Sequence, residues 1–99
     1  MTELSTEDRK LVTLARATRA RVGSAEGAAV RDGDGRTYAG ATVDLPSLRL
    51  SAVQVCVAMA LASGARGLEA VVVQGDEPSD ADRAAVADLA GPDVPLLLL

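Results

Sequence analysis

The sequence of 99 residues contains no histidine, tryptophan, phenylalanine or isoleucine, and Tyr38 is its only aromatic residue. With a single aromatic, a core must be filled by valine, leucine and alanine, and alanine contributes little buried area per residue. Cys56 is the only cysteine. That excludes an internal disulfide and fits a reducing, cytoplasmic compartment. With no histidine, a Cys-His nucleophile is excluded as well. No long apolar run exists either. The longest, Val55 to Ala62, is far short of the ~20 residues that span a bilayer, so no membrane segment is expected. Met1-Thr2-Glu3-Leu4 is acidic and lacks an apolar stretch, and no signal peptide is expected. Basic charge is scarce: ten Lys and Arg, all arginine but Lys10, face fourteen acids for a net charge of −4. The arginines are scattered, whereas a nucleic-acid binder needs a basic patch, so no nucleic-acid partner is expected.

What is present is a globular composition. Nearly half the residues (48%) are hydrophobic and 24% are charged, which excludes a disordered chain. The length suits a single domain over residues 1–99. Ser5 and Asp8 form a helix-start pair. Leu11, Leu14, Ala15, Thr18 and Val22 then recur at helical spacing and predict a helix from about Thr6 to Arg21, ended by Gly23-Ser24. Glu26 to Arg31 and Arg36 to Val43 read as two strands around Asp32-Gly33-Asp34-Gly35, whose Asp-Gly pairs suit a hairpin turn. Asp32 and Asp34 also resemble the start of a calcium loop, but Arg36 holds the next ligand position and a hairpin is preferred. Pro46 breaks the chain after the second strand.

Ser51 and Gln54 match the S-x-x-Q capping box and open a helix over Ala52 to Ala62, with Gly64 as its stop. That helix is apolar on every side except at Gln54 and should be covered on most sides. Ala70 to Val73 reads as a buried strand. Ser79 with Asp82 opens a last helix, whose apolar stripe is Ala85, Val86 and Leu89 and whose stop is Gly91-Pro92. Val94 to Leu99 reads as the final strand. The order α-β-β-α-β-α-β implies a three-layer α-β-α sandwich with a mixed sheet.

This element order, together with certain short stretches, resembles the cytidine deaminase family. Gly27-Ala28-Ala29-Val30 before an Asp-Gly turn is similar to the family's first strand. Tyr38-Ala39-Gly40-Ala41-Thr42-Val43-Asp44 is similar to its second, where a typical member carries G-x-N-x-E. Pro78-Ser79-Asp80-Ala81-Asp82-Arg83 stands where members have P-C-x-x-C-R, and Gly91-Pro92-Asp93-Val94-Pro95-Leu96 resembles the lead into the next strand. The resemblance implies a zinc held by a Cys or His at the start of one helix and two Cys at the start of the next. A Glu two residues after the first ligand then moves the proton while the metal activates a water.

Here the first ligand position falls on Ala52, the glutamate on Gln54, and the two cysteines on Ser79 and Asp82. Zinc needs three thiolate, imidazole or carboxylate ligands, and only Asp82 offers one. Gln54 cannot take up and return a proton near neutral pH. The expectation is therefore a member without zinc, without another cofactor and without the catalytic glutamate. The family's ribose-contacting Asn and Glu map to Thr42 and Asp44, and the aromatic ahead of the first strand maps to Ser24. Many members also continue beyond the position of Leu99 with a further strand and a segment that helps close the pocket.

Each of these residues also has a plainer reading. Cys56 serves as a small buried hydrophobe, Gln54 as a cap, and Asp82 as the first-turn acid of its helix. The acidic group Asp76, Glu77, Asp80 and Asp82 reads as a solvated loop. Three functional readings follow, in this order: a pseudoenzyme acting as a structural or protein-interaction module; a module binding a nucleoside or other small molecule through Thr42, Asp44 and Gln54; and an active deaminase with an unorthodox site. A homo-oligomer, dimer or tetramer, is expected. The resemblance implies it, and the helix Ala52 to Ala62 would otherwise expose Val55, Val57, Met59 or Leu61.

Overall fold

Three serine-capped helices set the frame of the fold, which we describe from a computed structural model covering residues 4–99. The reading of Met1 to Glu3 as leaderless lies outside the described residues. Helix α1 (Thr6–Val22) starts where Ser5 Oγ accepts the N–H of Asp8 and ends at Gly23, whose φ of 72° suits glycine. Helix α2 (Ala52–Ala62) is capped by Ser51, and α3 (Asp80–Ala90) by Ser79.

Strands β1 (Gly27–Asp32), β2 (Thr37–Ala41), β5 (Leu68–Gln74) and β6 (Leu96–Leu98) form one sheet in the order β2-β1-β5-β6. β1 runs antiparallel to both β2 and β5, while β5 and β6 are parallel and joined through α3, so the sheet is mixed as expected. The final strand is shorter than Val94 to Leu99. The second strand also departs from the sequence reading. Arg36 to Val43 is not one strand: β2 ends at Ala41, and Val43–Leu45 (β3) pairs with Leu48–Leu50 (β4) as a separate two-stranded hairpin. Pro46 does not simply end a strand. It sits in the turn of this hairpin, where its fixed φ suits a tight reversal.

Side chains alternate across the sheet and divide the core in two. Ala29, Ala70 and Val72 face α1, meeting Leu11 and Ala15. Ala28, Val30, Val71 and Val73 face the other layer, meeting Ala52, Val53, Cys56 and Ala60 of α2 and Val86 of α3. These are the three layers, and small residues bring them close together. A Cβ at Gly40 would stand 2.7 Å from Val55 Cγ1, so α2 lies directly on β2. Arg31 binds Glu69 at 3.0 Å and Asp8 at 3.1 Å, which ties the start of α1 to the sheet. Val22, expected on the buried stripe of α1, is exposed. Of the four α2 residues expected to be exposed in a single chain, only Leu61 is, at 61%. The sheet and α3 leave Val55, Val57 and Met59 half-buried. Among the described residues no helix is long and apolar enough to cross a membrane.

Candidate functional site

The N-termini of α2 and α3 meet, and their meeting point holds all four positions that the sequence singles out. Each helix starts with a complete capping box. At α2, the N–H of Gln54 donates to Ser51 Oγ at 3.1 Å and the N–H of Ser51 donates to Gln54 Oε1 at 2.9 Å. At α3, the N–H of Asp82 donates to Ser79 Oγ and the N–H of Ser79 donates to Asp82 Oδ2, both at 3.0 Å. Each box satisfies two of the free N–H groups that a helix start exposes.

The two boxes are joined. The hydroxyl of Ser51 donates to Asp82 Oδ1. Asp82 therefore uses one oxygen on its own helix and the other on α2, and it is buried, at 2% exposure. This corrects its reading as part of a solvated acidic loop: Asp76, Glu77 and Asp80 are exposed, whereas Asp82 is not. Among the described residues no buried side-chain polar atom lacks a partner. Both capping pairs are visible in the sequence. The bond between them is not, and the only signal for it is the family resemblance, which sets these two helix starts side by side.

The donor set does not fit zinc. Ala52 is buried and carries no ligand atom, and both carboxylate oxygens of Asp82 are engaged. Among the described residues no three His, Cys, Asp or Glu cluster so as to hold a metal ion. Cys56, one turn along α2 from Ala52, is fully buried, with Sγ 3.8 Å from the carbonyl oxygen of Tyr38. Burial pushes its thiol up to about 12, against a weaker opposing bond from the Gly40 backbone, so the thiolate needed for metal binding or nucleophilic attack does not form near neutral pH.

None of the cavities described is lined by the residues expected to contact a ligand. Thr42 is half-buried, with Oγ1 3.5 Å from Glu26 Oε1. Asp44 stands out on the β3–β4 hairpin, 3.4 Å from Arg49 and largely in water. Gln54 is occupied by its cap. The largest cavity described, about 490 Å³, is an open groove between α1 and β2 lined by residues such as Arg9, Thr13 and Thr37, and it includes none of the three.

A second polar cluster, not foreseen as one, holds the β1–β2 turn. Asp32 accepts the N–H of Asp34 and of Arg36 and the hydroxyl of Tyr38, at 2.9, 3.0 and 3.0 Å. Burial raises the cost of its charge, but these bonds outweigh burial and hold its carboxyl below the usual range. Burial, with the hydrogen bond to Asp32 added to it, pushes the Tyr38 phenol up.

Comparison with known proteins agrees with this architecture. The family model described as cytidine deaminase-like matches residues 4–99. Among solved structures, the cytidine deaminase from Burkholderia pseudomallei is 25% identical, covers 100% of this chain and 87% of its own, and superposes with a TM-score of 0.81. That from Mycobacterium leprae is 26% identical over 86% of this chain and 84% of its own, with a TM-score of 0.70. A glutamate-to-glutamine variant of the cytidine deaminase from Mycobacterium tuberculosis is 22% identical over 98% and 86%, with a TM-score of 0.78, a likeness of fold alone. No protein of curated function matches the chain.

Proposed function

The chain belongs to the cytidine deaminase-like family, and from that premise we propose that it is a pseudoenzyme: a structural or protein-interaction module that keeps the fold without zinc-dependent deamination. One observation carries the reading. The place where the family resemblance puts three metal ligands and a proton-transferring glutamate holds a closed set of hydrogen bonds, Gln54–Ser51–Asp82–Ser79, with no ligand atom to spare. The chemistry of the donors agrees with it: serine, alanine and an amide supply neither a usual zinc ligand nor proton transfer near neutral pH, and the one carboxylate, Asp82, is already bonded to Ser51 and Ser79. The test is ammonia release from cytidine by the purified protein, with and without added zinc. The proposal expects none above background, and turnover would overturn it.

Binding of a nucleoside through Thr42, Asp44 and Gln54 is less well supported. Asp44 is paired in solvent and Gln54 is spent on its cap. A nucleoside panel that leaves the melting temperature unchanged agrees with the module reading, because a ligand bound only by the folded state raises it.

The module is proposed to act as a homo-oligomer in a reducing cytoplasm, where a lone buried thiol stays reduced. Leu61 is exposed beside a shallow groove lined by Val57, Ala85 and Leu89, and Leu45, Leu48, Leu98 and Leu99 add further exposed apolar area. A symmetric copy is the commonest cover for such a face. Light scattering after size exclusion decides this. A stable 10.1 kDa monomer at micromolar concentration overturns it, and Val57→Glu should dissociate the assembly and, because Val57 also packs against the core, destabilise the chain itself.

A further inference from the structure

Two helix starts facing one another are unfavourable by themselves, since each presents free N–H groups and a partial positive charge. Something negative or hydrogen-bonding must stand between them. We infer that the hydrogen bond from the Ser51 hydroxyl to Asp82 is the joint that holds α2 against α3, in the place that the family resemblance gives to a metal. The inference rests on the metal-free reading above and goes beyond it by assigning Ser51 a second role.

The geometry separates the two roles. A cap needs only an acceptor at position 51, to receive the N–H of Gln54. The joint needs a donor there as well, because Asp82 Oδ1 is an acceptor and Oδ2 is already taken by the N–H of Ser79. The Ser51 hydroxyl is one of the few groups that can do both at once. Asp82 in turn puts a negative charge within the first turn of α3 and against Ser51, the cap of α2, so one carboxylate offsets both helix ends. The joint is also buried on the Asp82 side, where water cannot replace a lost partner.

Aspartate caps a helix about as well as serine does, but it has no proton to give and sets a second negative charge against Asp82. If Ser51 is only a cap whose hydroxyl does not face Asp82, Ser51→Asp leaves stability unchanged. If Ser51 is the joint, Ser51→Asp raises the unfolding equilibrium constant at least tenfold, about 1.4 kcal/mol. Adding Asp82→Asn to that variant should recover most of the loss. The amide introduced at position 82 can donate to the carboxylate introduced at position 51, while its carbonyl oxygen still accepts from Ser79. Ser51→Thr, which keeps the hydroxyl, should stay close to wild type.

Urea denaturation followed by circular dichroism reads all four proteins. Loss in Ser51→Asp with recovery in the double variant supports the joint. An unchanged Ser51→Asp, or a double variant no more stable than the single, overturns it. If Ser51→Asp is too unstable to purify, the double variant alone decides: a folded double supports the joint and an unfolded one overturns it. The wild-type protein is measured with zinc and with a chelator in parallel. A midpoint unmoved by either supports the metal-free reading, and a midpoint raised by zinc overturns that reading separately from the hydrogen-bond test.

Discussion

Asp32 and Asp82 are both 2% exposed, and both bury a carboxylate by giving it donors. They differ in where the donors come from. Every partner of Asp32 lies within six residues, at Asp34, Arg36 and Tyr38, so its bonds close one turn and tie nothing else together. Asp82 takes one donor from Ser79, three positions back, and the other from Ser51, 31 positions away on another helix. The same side chain, buried to the same degree, shapes a turn in one region and joins two helices in the other. Hydrogen-bond count alone does not separate these roles; sequence distance does.

Removing each carboxylate should therefore be felt at different range. Asp82→Ala carries the largest expected effect. It removes a cap and leaves the Ser51 hydroxyl and the Ser79 N–H without their acceptor, a loss of about 2–4 kcal/mol in urea denaturation. Hydrogen exchange should then speed up in both α2 and α3, and acceleration confined to α3 would break the comparison. Ser51→Ala comes next, at about 1–3 kcal/mol, because it loses the α2 cap and the joint together. Ser79→Ala loses a local cap only, about 0.5–2 kcal/mol. Equal losses at Ser51 and Ser79 would mean that the bond between the helices contributes nothing.

The smallest effect is expected at Asp32, and pH reveals it. Its carboxyl titrates lower in the folded chain than in the unfolded one. The unfolded state therefore takes up the proton first, so this contribution is present above the ordinary carboxylate pKa of about 4 and is lost as pH falls through the lower folded value. Asp32→Asn should flatten the acid limb of the stability profile below about pH 4. It should leave exchange in α2 and α3 as it was. An acid limb of unchanged slope in the variant would contradict the assignment.

The same contrast explains how much of the molecule was legible in its sequence. Helix α2 runs over Ala52–Ala62, as its Ser51 cap and Gly64 stop predict, and the Asp32-Gly33-Asp34-Gly35 turn forms where the Asp-Gly pairs place it. Those signals act over three or four residues, and so they show in the order of the residues. The β3–β4 hairpin was hidden because Pro46 breaks a regular strand and also favours a tight turn, and sequence does not say which wins. Val22 keeps the helical spacing of α1 yet is exposed at the last residue of the helix, before the Gly23 cap. At the site, both capping pairs could be read locally. The bond that ties the acid at position 82 to Ser51 could not, since its donor stands 31 positions away at the start of a different helix.

Elemental analysis of zinc in protein purified without added metal and without chelator tests the central claim most directly. Zinc well below one atom per chain is the predicted result, because Ser51 and Asp82 already close the place where it would bind. One zinc per chain would contradict the account, since it would require Asp82 to leave Ser51 and find partner ligands that the fold does not bring to it.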